Sequence, residues 1–374
     1  MSAKIRVGLL YGGRSGEHNV SLQTALAVIK AFDHDKYEIF PIYITKEGMW
    51  RSGPALKGPV ENVQALTFVD GEPTGTSSVA HDSALELIHG GLTENRGGHG
   101  LALDVVFPLL HGTFGEDGTV QGLLEMANLP YVGTGVLASA VGMDKAMMKS
   151  VFAQAGLPQC VYRHFTKAQW DKNQDELVIE IEVTLGYPCF VKPANLGSSV
   201  GISKARNREE LEAAVALALK YDRKVVVEEF VNAREIEVSV LGNDDPQASV
   251  PGEIVSSGDF YDYKAKYIDG KSAMVIPADI PLETAELLRD LAKRAFLAID
   301  GSGLSRVDFF VSKDDGKIFV NEINTMPGFT PFSMYPLMWK ESGKPYRELL
   351  DDLLRLAVER HQARQSLQYT FEAE

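Results

Sequence analysis

The stretch Ile5–Ile44 constrains the fold more than any other part of the chain. Ile5–Leu10 is an unbroken apolar run and leads into the turn Gly12-Gly13-Arg14-Ser15-Gly16. Leu22, Ala25, Leu26 and Ile29 then recur at helical spacing, and a second apolar run follows at Tyr37–Ile44. Strand, glycine-rich turn, helix and strand in that order open a parallel sheet, because parallel neighbours need a crossover between them. Ligands of such sheets sit beyond the carboxyl ends of the strands. The expected class is therefore α/β, with α+β character in parts. A chain of 374 residues exceeds one ordinary core and implies two or three domains.

Further along, Arg51 to about Gly100 is rich in Gly, Pro and polar residues and reads as elaborated loops with one helix. Leu103–Leu110 is another strand, ending in His111-Gly112-Thr113-Phe114-Gly115-Glu116-Asp117-Gly118. A new unit begins near Gly142, with Asp144 as a helix cap and Gly156 and Pro158 closing that helix. Tyr187–Lys192 and Val200–Ala205 read as strands flanking a Gly/Ser loop, and Asn207 with Glu210 opens a helix like a capping box. Val225–Val231 and Ile236–Leu241 are strands; in the second, Glu235, Glu237 and Ser239 alternate with Ile236, Val238 and Val240. The polar, aperiodic run Ser256–Met274 has the length of a lid, and Tyr346–Gln362 is an amphipathic helix.

Composition excludes several classes. No apolar run reaches the ~18–20 residues that cross a bilayer, and the opening Met1-Ser2-Ala3-Lys4 carries no signal-peptide pattern. Cys160 and Cys189 lack metal-ligand spacing and read as buried apolar residues in a reducing, cytoplasmic setting. A net charge of −14 argues against a nucleic-acid partner, so a site for an anionic nucleotide has to concentrate its positive charge locally. Two familiar nucleotide motifs fail. Gly12, Gly13 and Gly16 miss the dinucleotide spacing, and Gly270-Lys271-Ser272 lacks the first glycine of a P-loop, Ala265 standing there instead.

Leu304–Asn324 is the most informative segment. Arg306, Asp308 and Phe310 alternate with Val307, Phe309 and Val311, and Glu322 and Asn324 share a face. A hairpin with a three-residue loop, Asp314–Gly316, puts Asp308 opposite Glu322 and Arg306 opposite Asn324. Two uncompensated carboxylates and an amide on one face suit Mg²⁺ held jointly with phosphates. The plain alternative is a surface hairpin whose charges face water. Thr325–Thr330 follows as a turn with backbone amides to offer. Lys192-Pro193 precedes Asn195-Leu196-Gly197-Ser198-Ser199, where small residues let the backbone approach phosphate.

At this point the residues resemble a known family, the D-alanine–D-alanine ligases. The resemblance runs through Gly12–Ser21, His111–Thr119, Met143-Asp144-Lys145, Val191–Gly201, Glu228–Glu235, Phe260–Tyr267, Arg306–Asp308 and Glu322–Met334, in the family's order. It implies an ATP-grasp architecture of three domains: 1–140, 141–230, and 231–374 with a lid at 256–274, ATP lying between the last two. It also implies ligation of two D-alanines through a D-alanyl phosphate, a cytoplasmic homodimer, and two Mg²⁺ ions, with Mn²⁺ as a substitute.

By segment match, Asp308, Glu322 and Asn324 hold the metal, while Lys145, Lys192, Ser199 and Lys266, with Asn321 and Glu322, meet the phosphates. Glu228, Glu229, Phe230, Val231 and Glu235 surround adenine and ribose, Glu229 and Val231 through backbone groups. Glu17 takes the first ammonium; Arg306, the Gly328 amide and His111 lie near the first substrate; Ser333 and the Met334 amide take the second carboxylate. Ser198 and Tyr267 complete a hydrogen-bonded chain with Glu17.

Each residue also has a bland reading. Glu17 at a helix start can simply complement the dipole, His111 can be a satisfied structural histidine, and Ser333 a turn serine. Competing functions are an ATP-grasp ligase of other substrates, such as D-lactate or L-amino acids, and a binding module that has lost catalysis. Retention of Asp308, Glu322 and Asn324 argues against the second.

Overall fold

The structure is a computed structural model; it describes residues 3–68, 79–81 (backbone), 103–255 and 273–369. The opening forms as its sequence dictates. β1 (Ile5–Gly12) pairs in parallel with β2 (Tyr37–Ile44) across helix α1 (His18–Ala31). The short strands β3 (Trp50–Ser52) and β4 (Val79–His81) add antiparallel partners, and β5 (Val105–Pro108) pairs in parallel with β1, giving the order β4-β3-β2-β1-β5. The loops expected after Arg51 thus contain two strands and a 3₁₀ turn at Val63–Leu66. Strands of three residues are too short for a period-two pattern to show.

Helices α2 (Thr119–Met126), α3 (Val136–Met143) and α4 (Lys145–Gln154) lead into the second sheet. The Asp144 carboxylate accepts the amides of Ala146 and Met147, both at 3.1 Å, which fixes where α4 begins. The second sheet contains β6 (Tyr162–Thr166), then, after α5 (Lys167–Thr184), β7 (Cys189–Pro193) and β8 (Ser203–Ala205). After α6 (Arg208–Ala218) comes β9 (Lys224–Glu229), and the order is β6-β9-β7-β8. At the start of α6, Asn207 accepts the Glu210 amide at 2.9 Å, but Glu210 returns its carboxylate to Arg206 N–H rather than to Asn207.

The third sheet holds β10 (Ala233–Gly242), β11 (Gln247–Ala248), β12 (Gly252–Val255) and β13 (Ala273–Val275). After α7 (Leu282–Ala298), β14 (Gly303–Ser312) and β15 (Ile318–Asn324) complete it, in the order β13-β12-β10-β14-β15 with β11 paired to β10. Ile236, Val238, Val240, Val307 and Phe309 are buried against α7 residues such as Leu288 and Phe296. Alternation along the strands sends Glu237, Arg306, Asp308 and Glu322 to the opposite face. Burial of each large apolar side chain there contributes about 1.5–3 kcal/mol, so the face pointing at the site is set by its hydrophobic reverse.

The β14–β15 hairpin departs from expectation in an instructive way. Ser312 donates its amide to the Lys317 carbonyl and Val311 faces Ile318, so the loop spans Lys313–Gly316 rather than three residues. A bulge then absorbs Asn321, since Phe309 faces Val320 while Asp308 faces Glu322. The longer loop and the extra residue offset each other, and the pairs Asp308–Glu322 and Arg306–Asn324 stand as expected.

Helix α8 (Met334–Glu341) runs into α9 (Tyr346–Gln365). Leu349, Leu350, Leu353 and Leu354 of α9 join the core under β1 and α1, where Tyr37 and Lys36 both reach Asp351 at 2.8 Å. The two ends of the chain therefore share one core. Among the described residues no helix is long and apolar enough to cross a membrane.

Candidate active site

A cleft of about 590 Å³ is lined by strands of the third sheet, by helix α1 and by the loops after β5, β7 and β15. Glu17, His111, Lys145, Ser198, Ser199, Arg306, Glu322, Asn324, Gly328, Ser333 and Met334 all face it.

Glu17 is the N-cap of α1, yet its side chain makes no capping hydrogen bond. Its carboxylate instead accepts the Ser198 hydroxyl from the loop between β7 and β8. Gly112 makes room for it: a Cβ there would stand 2.5 Å from Glu17 Oε2, and the residue has a φ of +72°. The dipole-only reading of Glu17 therefore gives way to a link between two sheets. Ser198 and Ser199 have φ of 54° and 57°, left-handed values that serine adopts at a cost, as loops shaped for a ligand often do.

His111 lines the cleft but spends both ring nitrogens on the protein, Nδ1 on the Met326 carbonyl at 3.1 Å and Nε2 on Thr24 Oγ1 at 3.3 Å. A carbonyl only accepts, which puts the proton on Nδ1. Burial pulls its pKa down against the pull of the Glu17 carboxylate, and the ring is neutral. Glu116, which the sequence reading passed over, accepts Gly112 N–H at 2.7 Å and Met326 N–H at 3.2 Å. Burial, with the Glu17 carboxylate nearby, pushes its pKa up to about 8. It ties the loop after β5 to the turn after β15.

The acidic face is compensated, contrary to expectation. Arg306 donates to both oxygens of Asp308 at 2.7 Å and stands 3.0 Å from Glu237. Burial works against its charge, and the Asp308 and Glu237 carboxylates outweigh that. Asn324 Nδ2 donates to Asp308 at 3.0 Å, and Lys145 Nζ lies 3.6 Å from Glu322. Glu237 could have been read from the same alternation that displays Glu235. Among the described residues no group of three or more His, Cys, Asp or Glu is shaped for a metal. Asp308, Glu322 and the Asn324 amide nonetheless form an oxygen-only set on one face, which fits a hard divalent cation that takes its remaining ligands from phosphates and water.

The basic side gathers Lys145, whose Nζ donates to the Leu196 carbonyl at 2.9 Å, and Lys192, whose Nζ reaches Glu228 at 3.0 Å and Asn321 at 3.4 Å. Glu228, expected at adenine or ribose, is 2% exposed and lies between Lys192 and Lys149. Burial opposes its ionisation, and Lys149 and Lys192 outweigh it and hold the pKa down. Glu229 donates its amide to Val161 O at 3.0 Å and accepts Val161 N–H at 2.7 Å. Phe230 leans on Phe190 beneath Lys204; Val231 and Glu235 are half-buried beyond it.

Ser333 is the N-cap of α8, with its hydroxyl on Thr330 at 2.8 Å, and Pro336 removes one of that helix's first amides. Met334, the first residue of the helix, lines the cleft, and its N–H is one of those that no turn of the helix satisfies. Lys266, Tyr267 and the lid expected at 256–274 lie outside the described residues, apart from Ala273 and Met274 in β13.

Comparison with known proteins matches residues 6–134 to the family description D-ala D-ala ligase N-terminus and residues 151–355 to D-ala D-ala ligase C-terminus. The chain belongs to the D-alanine–D-alanine ligase family. A D-alanine–D-alanine ligase from Bacillus cytotoxicus is 57% identical over 98% of this chain and 99% of its own length. One from Listeria welshimeri is 52% identical over 99% and 100%. Among solved structures, the D-alanine–D-alanine ligase from Coxiella burnetii superposes with a TM-score of 0.76 at 33% identity, covering 97% of this chain and 96% of that one. The VanG D-Ala:D-Ser ligase from Enterococcus faecalis superposes at 0.82 and 36%, covering 95% and 100%. Members of the family are ATP-grasp enzymes, and this one is an ATP-dependent ligase that works with a divalent metal ion.

Proposed function

We propose that the chain joins two D-alanines into D-alanyl-D-alanine, consuming ATP, as a step of peptidoglycan precursor synthesis. The observation that carries this reading is the meeting, in one cleft, of a carboxylate fixed on Ser198, a half-buried arginine and a helix N-terminus. Glu17 takes the ammonium of the first D-alanine. The carboxylate of that substrate attacks the γ-phosphate of ATP, giving D-alanyl phosphate and ADP. Arg306 and the Gly328 amide stabilise the developing oxyanion. The amine of the second D-alanine attacks the carbonyl carbon, and the tetrahedral adduct expels phosphate. The carboxylate of the second D-alanine rests on Ser333 and the Met334 amide, where the α8 dipole favours an anion.

Lys145, Lys192, Ser199, Lys266 and Asn321 line the phosphates in this reading, and Glu229, Phe230, Val231 and Glu235 the nucleoside. Mg²⁺, replaceable by Mn²⁺ and held by Asp308, Glu322 and Asn324, supplies charge neutralisation along the phosphates when bound. The reading extends to a three-domain division at about 140 and 230, a homodimer and a cytoplasmic setting; the two free, buried cysteines support the last. The VanG ligase makes D-serine the competitor for the second position. Phosphate release with ATP and Mg²⁺ against D- and L-alanine, D-serine and D-lactate, with products identified by mass, tests it. Release independent of D-alanine overturns the reading.

A further inference from the structure

Lys149 is a buried lysine that the reaction above does not use. It is fully buried, sits one turn after Lys145 on α4, and its Nζ makes no hydrogen bond among the described residues. It lies 3.5 Å from Glu228 Oε1 and 5.4 Å from the centre of the Tyr162 ring. The other oxygen of Glu228 holds Lys192 at 3.0 Å, and Lys192 reaches onward to Asn321 at 3.4 Å. Lys145, at the far end, faces Glu322 at 3.6 Å. Charges therefore alternate across the basic side: Lys149, Glu228, Lys192, Glu322, Lys145.

We propose that Lys149 is a positioning residue that shares the Glu228 carboxylate with Lys192 and so leaves part of the Lys192 charge to act on the phosphates of ATP. Without Lys149, the Glu228 carboxylate has a single counter-ion and closes on Lys192, withdrawing its charge from the nucleotide. The effect belongs to the partition of one carboxylate between two lysines, because a buried carboxylate must be paired by something. The proposal rests on the phosphate role of Lys192 given above, and the test separates the two.

ATP affinity is measured by calorimetry without amino acid, together with thermal melting, for Lys149→Met, Lys149→Arg, Lys192→Met and the double variant Lys149→Met/Glu228→Gln. We expect Lys149→Met to weaken ATP binding about tenfold, Lys149→Arg to stay within about threefold of the parent, and the double variant to recover to within about threefold. A purely structural lysine would not be rescued in affinity by removing the charge of Glu228. Unchanged ATP affinity in Lys149→Met, or a double variant as weak as Lys149→Met, overturns the proposal. If Lys149→Met fails to fold, the charge-balanced double variant decides: affinity near the parent supports the proposal, and affinity as weak as Lys192→Met overturns it. If Lys192→Met itself binds ATP like the parent, the phosphate role of Lys192 falls, and the proposal with it.

Discussion

The acidic and basic clusters beside the cleft are built in opposite ways. Asp308, Glu322 and Asn324 come from one hairpin, with Arg306 and the adjacent Glu237 completing the face, so backbone register alone brings the set together. Lys145, Lys149, Lys192 and Glu228 come from a helix and two strands of the second sheet, and only packing makes them neighbours. The first side can lose a charge without losing its geometry. The second is a chain of buried pairs in which each partner restrains the next, because a charge in a poorly solvated place is costly unless matched.

The sharpest way to break the comparison is on the acidic side. Glu322→Gln keeps the shape and removes one charge; turnover should fall at least about a hundredfold, or roughly 2.7 kcal/mol of barrier, while the circular dichroism spectrum stays that of the parent. Near-normal phosphate release at saturating Mg²⁺ would remove Glu322 from the reaction.

Next in size is the link between sheets. Glu17→Ala and Ser198→Ala should each raise KM for D-alanine about tenfold, and the double variant should be no worse than Glu17→Ala alone, since Ser198 acts through Glu17. Additive losses would show that the two side chains act apart.

Deleting Asn321 sharpens the contrast further. Without it the strand reads Val320, Glu322, Ile323, Asn324 in regular alternation, so the hairpin should fold and still face Asp308 with Glu322. The contact to Lys192 is lost, and KM for ATP should rise about threefold, the size of a weak hydrogen bond. An unfolded deletion variant would mean the bulge is structural.

The smallest effect concerns Glu116. Its pKa in the fold is about 8, against an ordinary value near 4.5, so folding takes up a proton between those values and stability falls as pH rises across that window. Glu116→Gln removes that contribution, and the melting temperature of the variant should drop less than that of the parent between pH 5 and 8, by about a few degrees. Parallel pH dependences would place the carboxylate in solvent.

Much of this was legible in the residues. Periodicity marked β1, α1 and β2, and the charge alternation of Arg306, Asp308, Glu322 and Asn324 named the acidic set before any coordinates. The bulge also left a trace, since Asn321-Glu322 puts two polar residues where alternation allows one. That Lys149 and Lys192 enclose Glu228 left no local trace, because the three residues come from separate elements.

What the sequence determined by itself is what short-range physics controls. Strand and helix periods, caps such as Asp144, and the pairing of residues on adjacent strands all follow from backbone geometry within a few residues. Tertiary structure decided, where local pattern could not, that Glu17 reaches Ser198 as the family resemblance implies, that His111 spends both nitrogens on the protein, and that Lys149 is buried against Glu228. These depend on residues 181, 215, 87 and 79 positions apart, respectively, along the chain. Their energies come from desolvation and charge pairing that exist only once the sheets have closed on one another.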